Sequence, residues 1–195
     1  SDWKLRVTGN AAHSSQIFTE SVGAGAIYEA SRILNSFYEE LSTEDNLTFN
    51  PGMIIGGTLV EHDEKQDGGS AYGKGNVVSK DVLVSGDIRA ISPEQLEKAQ
   101  TIMKEIVSKH RPGTDATITF GEGYPPLAPT DGNYKLLSLF DQVSKDLGFG
   151  GVSPVNPRNA GAADISFTAP YVDMAIDGLG LGGADDHTVN ETGDI

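Results

Sequence analysis

Two helical spacings, each bracketed by strand-like alternation, constrain this chain more than any other feature. In residues 20–41, Ala26, Ile27, Ala30, Ile33, Leu34, Phe37 and Leu41 recur three or four apart, which predicts one apolar helical stripe. In "SPEQLEKAQTIMKEIVSKH", Ser92 suits a cap, Pro93 the first turn, and Gln95 completes a capping box. Leu96, Ala99, Met103 and Ile106 then line one face of that second helix. Ahead of the first helix, "WKLRVTG" (3–9) alternates Leu5 and Val7 as a strand does. Between the helices lie "NLTFN" and "MIIGGTL" (46–59), joined at Pro51-Gly52, and "NVVSKDVLVSGDIRA" (76–90). After the second helix, "TDATITFGEG" alternates Ala116, Ile118 and Phe120. The order β-α-β-β-α-β predicts a ferredoxin-like α+β module, an antiparallel sheet with two helices on one face. The polar, Gly-rich "HDEKQDGGSAYGKG" (62–75) reads as a loop long enough to be mobile or functional.

Beyond this module the composition changes. Residues 1–120 carry eleven Lys/Arg against seventeen Asp/Glu, whereas residues 121–195 carry three against eleven and hold twelve of the 24 glycines. Together with "GEGYPPLAPT" (121–130), the shift places a domain boundary near residue 122, giving segments 1–122 and 123–195. The second segment has one clear helix, Asp131 to Leu147, stopped by Gly148. After it, "VDMAIDGLG" reads as strand-like between glycine loops. So short a segment makes a marginal core by itself and is expected to be part of a larger α/β domain.

The net charge of −14 argues against nucleic acid and against anionic membrane surfaces as partners. No apolar run approaches membrane-spanning length. With no cysteine, disulfides and thiolate metal sites are excluded, and the compartment is left undetermined.

Several side chains are candidates for chemistry. His187, among glycines and acids in "GGADDHTVNET", has the character of a metal ligand, or it belongs to an exposed polar loop. Arg158 follows a long stretch without arginine and lies in a net-acidic context; its guanidinium suits a substrate carboxylate, or a surface pair with Asp164. His13 in "NAAHSS" reads as a hydrogen-bonded loop residue or as a chemical group. Neither Ser14 nor Ser15 sits in a strand-turn-helix elbow, which weighs against a serine nucleophile. "GLGLGG" (178–183) lacks a following apolar helix and makes a poor dinucleotide loop. His62 in "EHDEK" fits a solvated charge run, and His110 suits a helix C-terminus.

In order along the chain, "VTGNAAHSS", "MIIGGTLVE", "GNVVSKDVLVSGDIRA", "GYPPLAPT", "PRNAGAADISF" and "DGLGLGGADDHTVNET" resemble the dinuclear-zinc hydrolases. That family includes glutamate carboxypeptidases, aminoacylases, acetylornithine deacetylases and succinyl-diaminopimelate desuccinylases. The resemblance implies that residues 1–122 are a lid or dimerisation domain and that 123–195 are the C-terminal portion of an incomplete zinc-hydrolase domain. It implies that His187 is a metal ligand and that His13 reaches the partner subunit's active site in a homodimer to steady the oxyanion. Arg158 then matches a residue binding the substrate's free carboxylate, and Asn76 one contacting substrate nearby. Arg89, in "DIR", corresponds to an arginine with a substrate role or to a structural ion pair.

The implied function is cleavage of the amide bond in peptides or N-acyl amino acids by a parent enzyme holding two zinc ions. The family's remaining ligands, a His-x-Asp, a bridging Asp and a Glu-Glu pair, are expected upstream of this segment, so the chain alone is expected to be inactive. Asn76 also departs from the pattern, being followed by Val77-Val78-Ser79 where relatives carry Ile-Pro. The alternative is a non-catalytic dimerisation or binding module.

Overall fold

The computed structural model describes residues 1–65, 68–180, 182–185 and 189–193. The chain divides into two compact units, Ser1–Ala128 with Pro157–Ala160, and Pro129–Asn156 with Gly161–Ile195.

The first unit contains β1 (Asp2–Gly9), α1 (Ala26–Leu41), β2 (Thr48–Gly57), β3 (Leu59–Asp63), β4 (Gly68–Tyr72), β5 (Asp81–Arg89), α2 (Pro93–Val107) and β6 (Thr114–Phe120). Four of the strands form one antiparallel sheet in the order β2-β5-β1-β6. Each helix crosses over one strand, so β5 lies between β1 and β2, and β1 between β5 and β6. This is the ferredoxin-like arrangement that the sequence order predicts.

Register explains the core. Trp3, Leu5 and Val7 of β1 stand opposite Gly86, Val84 and Val82 of β5, and opposite Phe120, Ile118 and Ala116 of β6. Opposed residues share a face, and these pack with Ala30, Ile33 and Phe37 of α1 and Ala99 and Met103 of α2 in one cluster. Both helices therefore cover the same side of the sheet. Trp3 is fully buried, meets Phe37 edge-to-face at 6.0 Å, and its Nε1–H donates to the Asp87 carbonyl at 3.0 Å. At the start of α2, Ser92 Oγ accepts from the Gln95 N–H, and Gln95 Oε1 accepts from the Ile91 N–H.

The strand segments of residues 46–59 join at Pro51-Gly52 into one strand, β2, whose register shifts between Pro51 and Met53. Gly52 is the extra residue of a bulge, and the edge position of β2 tolerates a proline with no N–H to donate. Residues 62–75 are not simply a loop, since β3 and β4 pair as a hairpin from Leu59↔Tyr72 to Asp63↔Gly68. Ile55 and Leu83 oppose each other on the sheet face away from the helices. The hairpin packs there through Gly69, where a Cβ would meet Ile55 Cδ1, and Leu83 is only 7% exposed.

In the second unit, α3 (Asp131–Asp146) is capped by Thr130 Oγ1, which accepts from the Asn133 N–H at 3.1 Å. Asp141 accepts from Lys145 Nζ and from the Val152 N–H, which hold its carboxyl below the usual range in that order of importance. A short helix α4 (Ile165–Thr168) and a two-residue ladder between β7 (Gly183–Ala184) and β8 (Thr192–Gly193) follow. The strand expected over 172–180 does not form; the Ala175 N–H donates instead to Asn133 Oδ1 at 2.9 Å. No helix of the described residues is long and apolar enough to cross a membrane.

Candidate functional site

The end of β1 sets the position of His13. Thr8 pairs with Asp81, and the Gly9 N–H donates to the Lys80 carbonyl at 2.7 Å, so the chain leaves the sheet beside the start of β5. It is then stitched to the segment preceding β5. The Val78 N–H donates to the Ala12 carbonyl at 2.8 Å, the Ser14 N–H donates to the Asn76 carbonyl at 2.9 Å, and His13 and Val77 form an antiparallel bridge. Cross-bridge partners project to the same side with Cβ atoms about 5 Å apart. The imidazole therefore emerges beside Val77, with Asn76 held against Ser14 by the backbone. Both His13 and Asn76 are exposed.

The His13 ring is itself fixed. His13 caps a three-residue 3-10 turn, Ser14–Gln16; its Nδ1 accepts from the Ser15 N–H at 3.3 Å and lies 2.8 Å from Ser15 Oγ. The rest of the loop is pinned by its own bonds. Asn10 Nδ2 donates to the Ser21 carbonyl, the Phe18 N–H to the Gly23 carbonyl, and the Gly23 N–H to the Thr19 carbonyl. Phe18 has φ 68°, a costly conformation for an aromatic residue, and its ring lies 5.7 Å from that of Tyr28 on α1. A strained residue so near a candidate chemical group fits the tendency of strain to gather at functional loops.

The other expected site residues are placed as follows. Arg89 ends β5, whose nine residues span about 26 Å, so it stands at the opposite end of that strand from His13 and Asn76. Its Nε pairs with Asp87 Oδ2 at 3.2 Å, and both side chains are exposed. Arg158 occupies a 3-10 turn, Pro157–Asn159, that groups with the first unit. His187 lies outside the described residues. Among the described residues no three His, Asp or Glu side chains converge as a metal requires. Those described residues therefore do not by themselves compose a zinc site.

Sequence reasoning missed two participants. Residue type suggests Ser15 only as a nucleophile, although a serine two residues after a histidine is well placed to bond that histidine's ring. Val77 gave no signal, because its role is set by backbone pairing.

Comparison with known proteins decides the family. The profile of the M20 peptidase dimerisation domain matches residues 1–115. The chain belongs to this family. Solved structures share its fold: an aminopeptidase PepT from Bacillus cereus (TM-score 0.69, 19% identity) and a tripeptidase from Staphylococcus aureus (0.64, 20%). Each is matched over 97% of this chain and 45% of its own length. A hydantoinase/carbamoylase family amidase from Burkholderia ambifaria matches with TM-score 0.57 at 15% identity, over 89% of this chain and 38% of its own. The chain thus spans less than half the length of these structures, and at such identities they show the fold alone. No curated protein matches the chain. Peptidases of the M20 family generally use a divalent metal.

Proposed function

We propose that the chain is part of a zinc-dependent metallopeptidase or amidohydrolase that cleaves the amide bond of peptides or N-acyl amino acids bearing a free carboxylate, as glutamate carboxypeptidases do. In this reading residues 1–122 are the lid and dimerisation domain, and residues 123–195 belong to the catalytic domain. His13 donates a hydrogen bond to the oxyanion that develops on the scissile carbonyl in the partner subunit. Asn76 contacts substrate beside it, Arg158 binds the substrate carboxylate, and Arg89 serves substrate or only Asp87. His187 is one metal ligand, and the others come from polypeptide outside these residues.

The observation that carries the reading is the placement of His13 and Asn76. Backbone pairing joins their segments, more than sixty positions apart in the chain, at one end of the sheet, and both residues are exposed, where a core role is excluded. The full-length parent loaded with zinc should hydrolyse members of a panel of peptides and N-acyl amino acids, while residues 1–195 alone should hydrolyse none. A full-length parent inert across the panel would favour the dimerisation or binding module instead.

Homodimerisation through α1 and the sheet edge is supported by the same unit. β2 is an edge strand and leaves backbone groups open to pairing. Ile54 faces the helix side, as its partner Val84 does, yet is 55% exposed. Ile27 lies over neighbouring Gly56 and is also exposed, as are Tyr28, Tyr38 and Phe18. Apolar groups flanking an open edge suit a two-fold, self-complementary contact. Ile54→Lys should turn a dimer of the full-length protein into a monomer in analytical ultracentrifugation; an unchanged sedimentation coefficient counts against this interface.

A further inference from the structure

We infer that Ser15 is a positioning residue that commits His13 to the Nε2–H tautomer, so that the ring acts as a hydrogen-bond donor and not as a base. Ser15 presents two groups to Nδ1. Its backbone N–H is one of the unpaired donors at the start of the 3-10 turn and donates only. Its hydroxyl, at 2.8 Å, can donate or accept. A proton on Nδ1 would face the backbone N–H hydrogen to hydrogen. With Nδ1 bare, both Ser15 groups are satisfied, and the single proton of the neutral ring must sit on Nε2. Turning the ring over would put carbon where Nδ1 now stands and lose both contacts, so the orientation is fixed with the tautomer.

The chemical consequence is specific. Nε2 already bears a hydrogen and cannot take a proton from water, whereas that hydrogen is available to an oxygen gaining negative charge. The fold supplies the setting without long-range side-chain contacts. The ladder through Ala12, Val77 and Val78 holds the backbone, and Ser15 holds the ring. The tautomer assignment concerns the free protein; its use in the reaction rests on the function proposed above.

Long-range proton–nitrogen NMR of the 15N-labelled chain, with the His13 signals identified by their loss in His13→Ala, reads the tautomer directly. At a pH where the ring is neutral, a bare Nδ1 and protonated Nε2 are expected; a protonated Nδ1 overturns the inference, whatever any variant does. In the full-length enzyme, Ser15→Ala should lower kcat about tenfold with little change in KM, the scale seen when an orienting partner of a working imidazole is removed. Ser15→Thr, which keeps the hydroxyl, should restore kcat. Ser15→Ala with unaltered kcat, or a loss that Ser15→Thr does not repair, counts against the positioning role. The two readings fail separately. A bare Nδ1 with His13→Ala fully active removes the oxyanion function and leaves the tautomer; a protonated Nδ1 with His13→Ala inactive does the reverse.

Discussion

If His13 donates to the oxyanion as proposed, His13→Ala in the full-length protein should lower kcat by about 10²–10³-fold, the range for loss of one preorganised donor, with KM little changed. The split follows from when the bond is made. A neutral carbonyl oxygen gains little from a single N–H, whereas the oxyanion gains much more, so the loss falls on the transition state. The substitution should leave the fold intact, because the side chain is exposed and its cap serves only a three-residue turn. If the imidazole works in the partner's site, breaking the dimer removes it as completely as deleting it. Ile54→Lys should then cost as much kcat as His13→Ala, and the double variant should lose no more than either alone, the non-additivity of residues acting as one unit. A kcat loss below about tenfold for His13→Ala would remove it from the reaction. Full additivity of the two variants would place its action within its own subunit.

What the sequence disclosed depended on how local the deciding contacts are. The stripes of α1 and α2 and the alternation of β1 and β6 are set by the periods of helix and strand, and those residues pack in or against the core, except Ile27, which is exposed. The β3–β4 hairpin is not legible in the sequence because a two-stranded ladder is held by backbone groups. Its side chains need not alternate in polarity, and its packing against Ile55 runs through a glycine. Val172–Gly180 has the apolar content of a strand, but Asn133 takes one of the backbone donors that a neighbouring strand would have used. At the site, His13 and Asn76 could be singled out by residue type and by resemblance, while their proximity depends on a bridge between distant segments. Arg89 shows the converse. It shares a strand with the segment following Asn76, yet the strand's length carries it to the other end of the sheet.

Glu29 is the residue least legible in the sequence, and Glu29→Ala should destabilise the chain by about 3 kcal/mol in denaturant unfolding, with the m-value unchanged. It sits on the buried stripe of α1 with no exposed surface, where composition alone would have placed a carboxylate outside. Its partners explain the burial. Arg32, one turn on, donates from Nη2 at 2.6 Å and from Nε at 3.1 and 3.2 Å; the Arg111 N–H donates at 3.3 Å, and Arg111 Nε lies 3.6 Å away. Arg32 Nη2 also donates to the carbonyls of Ile106 and Lys109 at the end of α2. One carboxylate thus ties α1 to the turn that leads into β6. In that turn Gly113 takes φ 72° and packs against Val22, just before α1, while Gly23 at φ 73° packs against the Pro112 carbonyl. Removing the carboxylate leaves Arg32, only 21% exposed, without its counter-charge, although the two carbonyls keep the loss at the lower end for a broken buried pair. Glu29→Gln keeps the shape and an acceptor but not the charge, and should lose roughly half as much. The exposed pair of Glu44 with Lys98, at 2.7 Å, is the internal control, since Glu44→Ala should change stability by less than about 1 kcal/mol. Equal, small losses at Glu29 and Glu44 would mean that the buried carboxylate contributes no more than a solvated one, and that the turn before β6 is held by its glycines alone.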